Sequence, residues 1–165
     1  MRNSFLERLR YDEGQGALLF EQVRYLIIRP ETLIGFQKAV EGAMGQMAEG
    51  LIFRGGLEGG ERSARRLKEQ LHLGPREVVQ TMCSMGTEIG WGRFSLVEFD
   101  QSVPRMLIEV SSSPFAGAYG ASSRPVCHFT RGVIAGIGKV IFGQMEVIEQ
   151  RCLATGADSC RFLAR

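Results

Sequence analysis

Cys152 and Cys160 stand eight positions apart across a Thr-Gly-Ala-Asp turn, and Glu149 precedes the first of them by three. Thiolates and a carboxylate are zinc ligands, and Cys127 from upstream would bring the set to four. Four protein ligands leave no open coordination position, so a zinc held there is structural. His128 is adjacent to Cys127 and is an alternative ligand in place of Cys127 or Glu149. The competing reading is that these cysteines are small core residues, since free cysteine is among the most buried types. Cys83, inside the apolar stretch Val78 to Met85, reads as core.

The elements that must position these groups follow from the pattern around them. Residues 145–152 and 159–164 read as a terminal hairpin whose turn, centred on Gly156, sets Cys152 opposite Cys160 at cross-strand distance. Glu149 and Cys152 differ by three, so a regular strand would point them to opposite faces. A bulge, or an end of pairing near Arg151, is needed to bring both to one metal. Cys127 falls in the first turn of a helix opened by Arg124 and Pro125, where the dipole favours thiolate. Val126, Phe129, Val133, Ile137, Val140 and Ile141 give that helix its apolar face, and Gly132 and Gly136 leave its backbone open to close approach.

Upstream, residues 17–20 and 23–28 read as short strands. Pro30 opens a helix whose apolar positions Leu33, Phe36, Val40, Met44, Met47 and Leu51 keep helical spacing, with Gly35, Ala39, Gly42 and Ala43 as a small-residue run. The double glycines of residues 53–60 predict a flexible connection, because a phosphate loop would need a Gly-Lys-Ser/Thr ending after a strand. Helices are expected at 61–73 and 75–89, a strand pair at 94–99 and 105–110, and a loop at 111–123. This order predicts an α+β fold, an antiparallel sheet with helices packed on one side and a zinc-bound C-terminal hairpin.

The chain has 165 residues, 44% hydrophobic and 23% charged, which suits a single domain spanning 1–165. A formal charge of +2 predicts no nucleic-acid partner, and the basic group from Arg62 to Lys68 reads as a solvated helix face. No signal peptide or membrane span is expected, which places the protein in the cytoplasm. Its four cysteines would be reduced there, and a metal role outranks a disulfide role.

Residues 125–136, from Pro125 and Cys127 through Gly132 to Gly136, followed by Glu149, Cys152, Gly156, Cys160 and Phe162, resemble the 4-vinyl reductase domain family. Its relatives include hydrocarbon-binding proteins and the sensor domains of phenol- and toluene-responsive regulators. The resemblance is sharpest over residues 111–165 and elsewhere follows element order alone. It implies a zinc held by Cys127, Glu149, Cys152 and Cys160, with the first cysteine transferable only to within a residue. It also implies a fold related to an acyl-chain-enclosing subunit of vesicle-tethering complexes, and hence an apolar pocket between helices and sheet. The chain departs from the regulators in having no length for an ATPase module or DNA-binding helices, and no polar pair matches a phenol site.

The function expected is a zinc-stabilised, homodimeric binding domain for a small hydrophobic or aromatic molecule, acting as sensor or carrier, and more a binder than an enzyme. Met82, Met85, Trp91, Phe94, Met106, Phe115, Tyr119 and Ile137 are the pocket candidates, each with ordinary core packing as the rival explanation. Two alternatives are an accessory protein or reductase for vinyl-bearing tetrapyrroles, which shows no dinucleotide fingerprint, and a module dimerising through its glycine-bearing helices.

Overall fold

The computed structural model describes residues 3–165. A short helix α1 (Ser4–Arg8) leads into a three-stranded antiparallel sheet, β1 (Arg10–Asp12), β2 (Ala17–Phe20) and β3 (Val23–Tyr25), in that spatial order. Three helices follow, α2 (Pro30–Met44), α3 (Met47–Gln70) and α4 (Pro75–Glu88). The hairpin β4 (Arg93–Asp100) and β5 (Arg105–Ser111), the short α5 (Pro114–Tyr119), the long α6 (His128–Phe142) and the strands β6 (Val147–Arg151) and β7 (Cys160–Ala164) complete the chain. The second sheet is antiparallel with order β4-β5-β7-β6. The α+β fold with an antiparallel sheet is as expected, and helices α4 and α6 contact that sheet.

The inward positions of the central strands make the core. Met106, Ile108 and Val110 on β5 and Cys160, Phe162 and Ala164 on β7 are buried, and α6 covers them with Ile134 and Ile137. Burying a side chain of this size is worth about 1.5–3 kcal/mol, so this layer holds the domain together.

Three expectations are corrected. The segment 53–60 is no loop but the middle of the 24-residue α3. Its glycines serve helix packing: a Cβ on Gly56 or Gly60 would strike the Phe129 or Val133 carbonyl of α6, and one on Gly132 or Gly136 would strike the Phe53 or Leu57 carbonyl of α3. Two glycine pairs at four-residue spacing thus interlock the helices at backbone contact, which outweighs glycine's cost of about 1 kcal/mol in a helix. The single helix expected from Pro30 to Leu51 is broken at Gly45, whose φ of 57° closes α2. The stretch 111–123 holds a two-turn helix, α5, capped by Ser113 Oγ accepting from Ala116 N–H. In addition, β3 stops at Tyr25, and Leu26, Ile27 and Ile28 run on as exposed chain.

Candidate functional site

The four sequence-predicted metal ligands converge. Cys127, Glu149, Cys152 and Cys160 are all buried, and their ligand atoms lie within 4.8 Å of one another. Each arrives by a different local device. Cys127 caps α6 at its N-terminus, one position outside the helix rather than in its first turn. Glu149 lies on β6, where the pairing with β7 slips: Glu149 faces Phe162, but Arg151 faces Arg161. That irregularity turns Cys152 to the same side as Glu149, the geometry that the three-residue spacing demanded. A 3-10 turn, Leu153–Thr155, then reverses the chain through Gly156, whose φ of 90° suits glycine, and returns it to Cys160. Thr155 donates both its N–H (3.0 Å) and its hydroxyl (2.8 Å) to the Cys152 carbonyl, which fixes the turn.

Cys127 Sγ lies 3.9 Å from Cys152 Sγ and 3.6 Å from Cys160 Sγ. Disulfide sulfurs sit at about 2.05 Å, whereas thiolates about 2.3 Å from a tetrahedral zinc stand roughly 3.8 Å apart. Glu149 Oε2 accepts from the Cys127 N–H at 3.1 Å, and its Oε1 is buried without a partner. A buried orphan carboxylate oxygen is costly unless a cation meets it, so the donor set fits a divalent metal. Leu153 N–H points at Cys160 Sγ from 3.4 Å, the contact a thiolate accepts. His128 is turned elsewhere, its Nδ1 3.9 Å from Glu49 Oε1, and burial pushes its pKa down.

Without a cation the four groups oppose each other's ionisation. Burial lifts the Glu149 carboxyl to about 8, and hydrogen bonds to Cys152 and Cys160 push the Cys127 thiol far up. Hydrogen bonding from Cys127 favours the Cys160 thiolate, but Cys152 and burial outweigh it and raise that thiol to about 12. Cys152 moves the other way, because Cys127 and Cys160 stabilise its thiolate. A metal supplies the positive charge such a cluster needs, and its binding would release the remaining protons.

A second site lies between α3, α4, α6 and the inner face of the sheet. A chamber of about 170 Å³ is walled by Met82, Met85, Trp91, Phe94, Phe129 and Ile137, with no charged residue among its described lining. Phe115 lines an adjoining open cleft with Trp91, against which its ring packs edge-on at 5.4 Å. Met106 lies in the core, fully buried. Tyr119 ties α5 to α2 instead, donating to Glu41 Oε2 at 2.8 Å under the Lys38 ammonium. Cys83 also lines the chamber, and burial pushes its thiol up to about 12. The sequence reading missed Phe129, Tyr25 and Ser63 as lining residues. Phe129 was visible only as part of an apolar helix face, and the other two carry no spacing signal.

Fold and sites together define an α+β domain that encloses a small apolar chamber and gathers a buried three-cysteine, one-glutamate cluster at one edge of its sheet. The family model of the vinyl-4-reductase domain matches residues 106–165, the stretch that holds the whole cluster. The phenol-responsive sensory domain of the transcription activator PoxR, solved with phenol, superposes with a TM-score of 0.84 at 20% identity, over 97% of this chain and 85% of that one. A vinyl-4-reductase family protein from Methanocaldococcus jannaschii gives 0.55 at 19% identity, over 81% and 76%. A trafficking protein particle complex subunit 3 from Naegleria fowleri, covalently bound to palmitic acid, gives 0.60 at 12% identity, over 82% and 93%. No curated protein matches the chain. Among the described residues, no helix is long and apolar enough to cross a membrane.

Proposed function

We propose that this chain is a binding domain for a small, uncharged aromatic molecule, acting as a sensor or carrier and stabilised by a structural zinc. The observation that carries the reading is the closed chamber of about 170 Å³ between helices and sheet, aromatic and sulfur-rich and without charge among its described lining. An apolar cavity of about 150 Å³ takes up benzene, so the volume suits one ring. Four linked pyrrole rings would not fit it, which favours this reading over the tetrapyrrole one. The likeness to a phenol-responsive sensory domain points the same way. Cys127, Glu149, Cys152 and Cys160 would hold the zinc, which would tie the start of α6 to the β6–β7 turn. Four reduced thiols suit a cytoplasmic setting.

A homodimer belongs to the same proposal. Leu26, Ile27 and Ile28 project as an exposed apolar ridge, and Phe36, Met47 and Leu51 border a groove of about 310 Å³ between α2 and α3. Ridge and groove on one chain are the parts of a two-fold interface, in which each copy supplies both.

The test is thermal stabilisation by toluene of the wild type and of Val133→Phe, which fills the chamber. A ligand that binds only the native state raises Tm. The wild type should gain several degrees at saturating toluene and the variant none. Equal gains in both proteins, or none in the wild type, would count against the chamber.

A further inference from the structure

Two hydroxyls in the chamber wall have no hydrogen-bond partner among the described residues. Tyr25, the last residue of β3, and Ser63, on α3, both line the chamber, and both also line a neighbouring cleft of about 280 Å³ that includes Arg66, Thr81 and Glu88. The polar side of the apolar chamber is therefore where these two side chains meet. The Tyr25 ring is fixed by Phe5, edge-on at 4.9 Å, and by Phe20 at 6.2 Å, so its hydroxyl is held in place by packing. Arg66 adds positive potential beside that hydroxyl while donating its own N–H to the Glu21 carbonyl. Burial raises the Tyr25 pKa, which keeps the group an O–H donor across neutral pH. Apart from Tyr25 and Ser63, hydrogen-bonding side chains in the lining are the weak Cys83 thiol and the Trp91 indole.

We infer that Tyr25 and Ser63 are the polar anchor of the chamber and that its ligand is a single uncharged ring bearing one hydrogen-bonding substituent, a hydroxyl, held against them. This rests on the proposed chamber. Pockets of this kind take their affinity from apolar walls and their orientation from a few convergent polar groups. Here a ligand hydroxyl can donate to one anchor and accept from the other while the ring lies among Met82, Phe94 and Phe129. A second hydroxyl on the far side of the ring would be buried against Ile134 and Ile137 without a partner.

Dissociation constants for phenol, toluene and hydroquinone on the wild type, Tyr25→Phe, Ser63→Ala and Trp91→Phe test it. The ratio of phenol to toluene affinity is the readout, because a general loosening of the chamber changes both alike. The wild type should prefer phenol to both other ligands. Tyr25→Phe and Ser63→Ala should each weaken phenol about three- to tenfold and leave toluene within about twofold. Phenol and toluene affinities that fall together, or a ratio that responds to Trp91→Phe and not to Tyr25→Phe, would overturn the anchor and leave the chamber standing. Failure of phenol and toluene alike to bind the wild type would overturn both.

Discussion

Helices α2 and α6 are each 15 residues long and each carries glycines at helical spacing, yet they live in opposite surroundings. The glycines of α6 are filled by the backbone of α3, and its end is bound into the buried cysteine cluster. On α2, a Cβ at Gly35 or Gly42 would meet nothing within 4 Å, and Phe36 is 66% exposed. What anchors α2 is polar: Gln37, 4% exposed, donates to the Val126 carbonyl beside the cluster, and Lys38 donates to Tyr119 O. The C-terminal region is closed by its own chain, whereas the N-terminal region leaves apolar surface uncovered. A small-residue stripe therefore marks a close approach only where a second backbone supplies the matching glycines.

Removing a cysteine should do the most damage to the closed region. Cys152→Ser and Cys160→Ser are expected to lower zinc to well below one per chain and to cost about 3–5 kcal/mol, read by elemental analysis and denaturant melts. Gly136→Ala should follow at about 3 kcal/mol, because its methyl meets the Leu57 carbonyl and the Glu61 amide of α3, neither of which can yield cheaply. The same change on the open helix should reverse sign: Gly35→Ala has free space and should stabilise by up to about 1 kcal/mol. Phe36→Glu should leave the unfolding midpoint within a few degrees and convert a dimer to monomer in sedimentation. A stable dimer in that variant would sever the open face from assembly.

The smallest expected effect concerns the joint between the regions. Burial alone would raise the Glu49 carboxyl, but the Arg131 hydrogen bond at 2.6 Å and charge outweigh it and hold it below the usual 4.5. A carboxylate held low stabilises the fold above its unfolded pKa, and that contribution disappears as pH falls through the folded value. Solvent screens this half-exposed pair, so Glu49→Gln should cost well under about 1 kcal/mol near neutral pH and nothing in acid. A constant cost across that range would remove the ion pair from the account.

The cluster was legible because its chemistry restricts residue type: few side chains ligate zinc, and their spacing around Gly156 set the turn. Even the irregularity beside Arg151 was required, since Glu149 and Cys152 could not otherwise share a face. The glycines of residues 53–60 misled because glycine breaks isolated helices, and the reason it is tolerated here lies on α6, far along the chain. Gly56 and Gly60 do repeat the four-residue spacing of Gly132 and Gly136, a signal visible only when the two stretches are compared. The chamber was legible in part, through Met82, Met85, Trp91, Phe94 and Ile137, but apolar residues line cores and pockets alike. Tyr25 and Ser63 come together only through the packing of β3 near α3, which no local pattern encodes.

Native mass spectrometry of the purified wild type and of Cys152→Ser tests the central claim most directly. The account predicts one zinc per wild-type chain and markedly less in the variant. A wild-type mass equal to that of the amino-acid chain alone, with Cys127, Cys152 and Cys160 all open to alkylation under native conditions, would contradict it.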